Sequence, residues 1–152
     1  MSRQDASGRA SEAIGSALYG LATRAVRRLP RDMSLTSAAT LATLDRTGPR
    51  RITDLAAVEG VTQPAMTVLV RVMEESGLVE RTGDPSDRRV TLVCLTEAGA
   101  SYVRARRQAG VHALERLIDQ LADDEVEALV AALPALLHLA ALENQDREGL
   151  KQ

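Results

Sequence analysis

A chain of 152 residues, 45% of them hydrophobic, is long enough for one buried core with an extra helical layer and too short for a multidomain enzyme. Its only aromatics are Tyr19 and Tyr102, so the core must be built from Leu, Val, Ala and Met, a composition that favours helices over sheets. A net charge of -2 excludes a chain-wide electrostatic argument for nucleic-acid binding, but the charge is uneven: residues 46–107 hold 10 Arg against 8 acids, and residues 108–152 hold 3 bases against 9 acids.

Lys151 is the only lysine among 19 basic residues. Arginine suits bidentate phosphate and guanine contacts, yet a GC-rich coding bias produces the same excess, so it carries little weight alone. A single cysteine, Cys94, excludes an intramolecular disulfide and a multi-cysteine metal site and points to a reducing compartment. Residues 1–9 are polar and no uninterrupted apolar run approaches a bilayer span, so neither a signal peptide nor a membrane span is expected and the protein is expected in the cytoplasm.

After a polar leader expected to fray, Ala13, Ile14, Ala17, Leu18, Leu21, Ala22, Ala25 and Val26 recur at helical spacing, and Leu29-Pro30 ends the run. Thr36 is a candidate cap for a second helix with Ala39, Leu41, Ala42 and Leu44 inward, stopped by Gly48-Pro49. Residues 50–52 read as extended. Thr53-Asp54 then starts a brief third helix with Leu55, Ala56 and Val58 inward, and Gly60 sits where a left-handed cap belongs.

The fourth helix has both ends marked: Thr62 as N-cap, Pro64 in the first turn where its missing N–H costs nothing, and Gly77 just past the end. Met66, Leu69, Val70 and Met73 form the stripe it buries, at i, i+3, i+4 and i+7. Gln63, Thr67 and Arg71, with Ala65, Val68 and Val72 nearby, are left on a face the core does not need. Residues 78–82 and 90–95 read as strands around a Gly/Asp/Pro/Ser loop carrying Arg88 and Arg89, a basic hairpin beside the helix. Such a pair is a physical arrangement for reading duplex DNA.

Thr96 caps a predicted fifth helix through about Leu121, and a sixth follows from Asp123 to about Leu142, with a kink expected at Pro134. The sixth carries Val126, Leu129, Val130, Leu133, Leu136, Leu137, Leu139, Ala140 and Leu142, more apolar surface than a half-exposed terminal helix should show. The first helix has the same excess. Pairing with their equivalents in a second copy would cover both.

This order of elements resembles the MarR family of bacterial transcriptional regulators, most specifically in Glu74-Glu-Ser-Gly-Leu-Val-Glu-Arg81, the wing Asp84-Pro-Ser-Asp-Arg-Arg89 and Leu95-Thr-Glu-Ala-Gly99. The resemblance spans nearly the whole chain. It implies a mainly α fold with a small β hairpin, a winged helix-turn-helix core at 35–97, and dimerisation helices at 1–34 and 98–152. It further implies a homodimer that binds a pseudo-palindromic operator on double-stranded DNA, usually as a repressor, and is often released by a small phenolic or other lipophilic anion. By position, Thr62, Gln63, Pro64, Ala65, Thr67, Val68 and Arg71 match the groove-facing residues of the family's recognition helix, and Asp87, Arg88 and Arg89 match its wing. Val68 and Val72 depart from the pattern, standing where arginine or another polar residue is common. An effector pocket would lie where the first, second and fifth helices meet the DNA-binding lobe, with Tyr19, Met33 and Tyr102 as candidate lining residues; the two tyrosines read equally well as core.

Each site has a plainer reading. Arg88 and Arg89 would be solvated loop charges without the flanking strands and helix, which shift the reading to DNA contact. Arg71 is a phosphate contact or a partner for a wing acid such as Asp87, and Arg104, Arg106 and Arg107 face phosphates or solvent. Cys94, mid-strand and without a resolving thiol, reads as a packing residue and not a redox switch. His112 and His138 lack ligand spacing, so no metal is expected. No catalytic constellation and no cofactor motif is present, so an enzyme is not expected. The alternative of a different class is a winged-helix module that binds protein and lacks specific DNA binding.

Overall fold

The computed structural model describes residues 3–29, 32–87 and 89–149, with side chains described from 8 to 142 within those limits. Among the described residues, six helices and three strands follow in the order α1 (Arg3–Arg28), α2 (Leu35–Thr47), β1 (Arg50–Arg51), α3 (Ile52–Glu59), α4 (Gln63–Glu75), β2 (Val79–Gly83), β3 (Thr91–Leu95), α5 (Glu97–Ile118) and α6 (Asp123–Gly149). The order is the expected one: mainly α, with a winged helix-turn-helix at its centre. The antiparallel sheet has order β1-β3-β2, so the wing hairpin gains a third strand in which Arg50 pairs with Val93 and Arg51 with Leu92.

Three boundaries differ from expectation. The polar leader is helical from Arg3. Ser34, not Thr36, caps α2, its hydroxyl oxygen accepting from the Ser37 N–H at 3.0 Å, because Ser34 keeps the extended φ/ψ that a cap requires while Thr36 is already helical. The third helix starts at Ile52, and its N-cap, Arg51, makes no side-chain capping bond. Pro30, expected to end the first helix, lies outside the described residues, and α6 runs on unbroken through Pro134.

The core belongs to the central lobe. Leu41 and Leu44 of α2, Leu55 and Ala56 of α3, Met66, Val70 and Met73 of α4, and Val79 and Val93 of the sheet form one buried cluster, with Leu69 packed at its edge. Three polar residues of α2 are buried with it, Ser37, Thr40 and Thr43. Thr40 donates to the Thr36 carbonyl at 2.8 Å and Thr43 to Glu59 Oε1 at 2.8 Å, so neither hydroxyl is left unsatisfied.

Among the described residues the outer helices lack such a core. Leu129, Val130, Leu133, Leu137, Leu139 and Leu142 of α6 are all exposed, as are Ile14, Tyr19, Leu21 and Val26 of α1. While α1 packs along α5, α6 touches the rest of the chain only sparsely. The length of uninterrupted apolar runs understated this helix. By length and composition alone, Asp123–Leu142 is sufficient to cross a membrane.

Candidate nucleic-acid interface

The sequence between Thr62 and Gly77 folds as one well-terminated helix. Thr62 holds an extended φ/ψ and its hydroxyl oxygen accepts from the Ala65 N–H at 3.4 Å, while Pro64 lies in the first turn. At the other end the Gly77 N–H donates to the Glu74 carbonyl and the Leu78 N–H to the Met73 carbonyl, both at 2.9 Å, with Gly77 at φ 71°. This is a Schellman termination, which needs a left-handed residue at Gly77. It turns the chain from α4 straight into β2, and so fixes the wing's position relative to the helix.

With Met66, Val70 and Met73 buried, the face of α4 carrying Gln63, Pro64, Ala65, Thr67, Val68, Arg71 and Val72 is open to solvent. Thr67 donates its hydroxyl hydrogen to the Gln63 carbonyl at 2.9 Å. Arg71 sits 3.8 Å from Glu75 Oε1 in an exposed i,i+4 pair, a contact too weak to compete with a phosphate. Of the two uses read from sequence, a phosphate contact or a wing-acid partner, the second is not formed: the acid beside Arg71 is Glu75, one turn along the same helix.

The wing is braced from within. Asp84 Oδ1 accepts from the Ser86 N–H at 2.8 Å and from the Ser86 hydroxyl at 2.6 Å, and Asp87 Oδ1 accepts from the Arg89 N–H at 3.0 Å. The Asp84 N–H donates to the Val90 carbonyl and the Val90 N–H to the Asp87 carbonyl, both at 2.9 Å, closing the loop. The Ser86 hydroxyl first, then its backbone N–H, hold the Asp84 carboxyl below its ordinary value, and Arg51 on the neighbouring strand adds to the effect. Arg89 is exposed, whereas Arg88 lies outside the described residues. Arg81 bridges β2 to α4 through Glu74 at 3.1 Å.

The Leu95-to-Gly99 motif works as a lock behind this surface. Thr96 accepts from the Gly99 N–H at 3.0 Å as N-cap of α5 and donates to the Gly77 carbonyl at 2.7 Å. Its own N–H donates to the Leu78 carbonyl at 3.1 Å. Gly99 is buried against that same carbonyl, where any Cβ would collide. The start of α5 is thereby pinned to the end of α4.

Residues 33–91 match the family model described as the MarR family. Bacillus subtilis YfiV, an uncharacterized HTH-type transcriptional regulator, is 32% identical over 117 residues, covering 77% of this chain and 72% of YfiV. The chain belongs to the MarR family. It is a DNA-binding transcriptional regulator of the helix-turn-helix type. Among solved structures, the MarR-family fold of this chain is similar to Thermotoga maritima regulator Tm0710, with TM-score 0.75 and 22% identity over 89% of this chain and 96% of that one. It is also similar to a mutant of Staphylococcus aureus MepR bound to an oligodeoxyribonucleotide, with TM-score 0.64 and 24% identity over 86% of this chain and 96% of that one.

In this MarR-family protein a groove of about 680 Å3 opens where α1, α2 and α5 meet, lined by apolar residues such as Val26, Leu35 and Ala42 and rimmed by Arg46, Arg106 and Arg107. Tyr102 lines it; Tyr19 and Met33 do not. Tyr19 lies two turns before Val26 on α1, where it is 76% exposed, and Met33 packs against the central core instead. At the rim Tyr102 donates to Asp32 Oδ1 at 2.9 Å, and Arg106 lies 3.4 Å from the same oxygen and 3.2 Å from the phenol. Burial first, then the Asp32 hydrogen bond, raise the Tyr102 phenol above its ordinary value. Neither Asp32 nor this network was foreseen, because 70 residues separate Asp32 from Tyr102.

The remaining arginine cluster is divided. Arg106, its side chain 12% exposed, is engaged with Asp32 inside the protein, whereas Arg104 pairs with Glu97 at 2.8 Å on the surface and stays 61% exposed. Cys94 is half-buried and 3.1 Å from Thr82 Oγ1. His112 contacts Gln108 at 2.9 Å, His138 is exposed on α6, and among the described residues no group of His, Cys, Asp and Glu is placed to hold a metal.

Proposed function

We propose that the chain is a homodimeric repressor that places α4 in successive major grooves of a pseudo-palindromic operator and each wing against the adjoining backbone or minor groove. Thr62, Gln63, Pro64, Ala65, Thr67, Val68 and Arg71 would face the bases and phosphates, and Asp87 would hold the wing for Arg88 and Arg89. The observation that carries this is the open face of α4 set beside a hydrogen-bonded wing with an exposed Arg89. MepR bound to an oligodeoxyribonucleotide supports it as a protein of the same fold in complex with DNA. Such a regulator works in the cytoplasm, where the chromosome is.

The dimer reading rests on the apolar faces of α1 and α6, which the central lobe leaves uncovered. Residues 1–34 and 98–152 would form the dimerisation layer and 35–97 the DNA-binding lobe. A membrane-crossing role fits α6 less well, because α1 at the other end of the chain shows the same exposed apolar residues over a length broken by Arg9, Glu12 and Arg24. A second copy covers both helices at once. The groove between α1, α2 and α5 is the proposed site for a lipophilic anion that releases the operator.

Fluorescence anisotropy with the DNA upstream of the protein's own gene tests the central reading. Arg88→Ala with Arg89→Ala is expected to weaken binding and to lower the slope of log K against log salt by about 0.9 for each phosphate no longer neutralised. Unchanged affinity and slope would refute the wing's role. No binding to any duplex at low salt would favour the protein-interaction alternative.

A further inference from the structure

The outward face of α4 carries apolar surface that does nothing for the free protein. Val68 and Val72 are 53% and 49% exposed, and Ala65 beside them is exposed as well. At about 3.6 residues per turn Val68 lies opposite the stripe of Met66, Val70 and Met73, with Arg71 and Thr67 to one side and Val72 and Ala65 to the other. Valine is a poorer helix former than Ala, Leu or Gln, so at these two positions it gains neither propensity nor burial. A lone exposed apolar residue is ordinary, but two on successive turns of the helix that reads DNA form a surface.

The polar groups around them narrow what that surface fits. The first and last turns of α4 hold no basic residue, so Arg71 is the helix's single donor for a bidentate guanine contact. Gln63 has the donor and acceptor that match an adenine edge. Thr67 has committed its hydrogen to the Gln63 carbonyl, which leaves its oxygen as an acceptor and its methyl as an apolar contact. In the major groove the only apolar group on a base edge is the C5-methyl of thymine.

We propose that α4 reads its half-site mainly through thymine C5-methyl groups, with Val68 and Val72 as the contacting residues on A·T base pairs. This deepens the DNA-binding reading above and depends on it. Val68 and Val72 then exchange charge-based guanine readout for methyl contact, and the wing supplies the electrostatic share of affinity. Removal of one such methyl is worth about one buried methylene, or about fourfold in Kd.

The test separates the two layers. Duplexes enriched by the full chain from a randomised pool are remade with uracil for thymine at one position at a time, and Kd is measured for the wild-type chain and for Val68→Ala with Val72→Ala. Uracil is expected to weaken wild-type binding about fourfold at one or two positions in each half-site, and the double variant is expected to bind both duplexes alike. An Arg89→Ala chain should keep the uracil penalty while losing overall affinity. Equal wild-type affinity for thymine and uracil at every position, or a full penalty retained in the double variant, overturns the inference. A pool that yields no enriched duplex overturns the DNA-binding reading itself. The wild-type comparison needs no variant, so it stands even if a substitution disturbs folding.

Discussion

Replacing Gly99 with alanine tests whether the joint between α4 and α5 is as tight as its geometry states. A Cβ on Gly99 would strike the Leu78 carbonyl oxygen, which is backbone, and would lie 2.7 Å from Leu95 Cδ1, which can rotate away. The carbonyl cannot move freely, because it accepts from the Thr96 N–H at 3.1 Å. Overpacking of this kind costs about 1–3 kcal/mol, and the higher helix propensity of alanine returns up to about 1 kcal/mol. The net destabilisation is about 1–2 kcal/mol, or about 2–8 °C in Tm for a chain of this size. Circular dichroism melts at matched concentration give the answer, since the proposed dimerisation would make Tm concentration-dependent. Gly110→Ala is the control: its Cβ would meet only Leu29 Cδ2, at 3.4 Å, so it should be neutral or slightly stabilising. A Gly99→Ala chain melting at or above the wild type would refute the reasoning.

Ser86→Ala should raise the Asp84 pKa toward 3.8, read by NMR titration of the carboxyl, because the Ser86 hydroxyl is the largest cause of its lowering. With the folded value depressed, the brace contributes above 3.8 and is lost only as pH falls through the lowered pKa, so the wing should stay closed throughout the neutral range. In a Tyr19→Phe background the one remaining tyrosine, Tyr102, should ionise above 10.0 in a spectrophotometric titration. The sign is opposite there: its contribution is intact below 10.0 and is lost as pH rises through the raised folded value. Tyr102→Phe should cost about 1 kcal/mol through removal of the hydrogen bond to Asp32, seen as a lower urea midpoint with unchanged slope. Val130→Glu with Leu137→Glu, the two most exposed large apolar residues among those described in α6 at 64% each, should yield folded monomers by sedimentation velocity; a dimer that survived would remove α6 from the interface.

Much of the central lobe was legible because its signals are local. Thr62, Pro64 and Gly77 mark helix ends through backbone chemistry that does not depend on tertiary context, and the Met66, Val70 and Met73 stripe follows from helical period alone. Local signals failed where two candidates stood close together. Ser34 and Thr36 are both competent caps, and only the fold shows which of them keeps the extended backbone and accepts the Ser37 N–H. The groove's location was legible, but its lining was not. Tyr19 and Tyr102 look alike in sequence, and only the packing of α1 along α5 leaves one at the rim and the other in solvent. Arg104 and Arg106 were ambiguous for the same reason, since their partners Glu97 and Asp32 are set by folding and not by the balance of charge.

The contacts that sequence could not show connect the proposed effector groove to the DNA face. Asp32, in the connection between α1 and α2, holds Tyr102 and Arg106 on α5, and seven residues before Arg106 the same helix meets the Leu78 carbonyl through Gly99, at the end of α4. A molecule that wedges α5 from α2 must therefore strain the Thr96 and Gly99 joint or carry α4 with it. Packed joints of this kind switch between arrangements more readily than they stretch. In the proposed dimer, release of DNA further requires that the molecule bind the wrongly spaced form better than the operator-bound one, and linkage makes the effect mutual: whatever factor the ligand takes from operator affinity, the operator takes from ligand affinity. Isothermal titration of a ligand found by thermal-shift screening, with and without operator, measures that factor. In a Gly99→Ala chain that still folds and still binds each molecule alone, the factor should fall toward one. A factor unchanged by the substitution would remove the joint from the path between groove and operator.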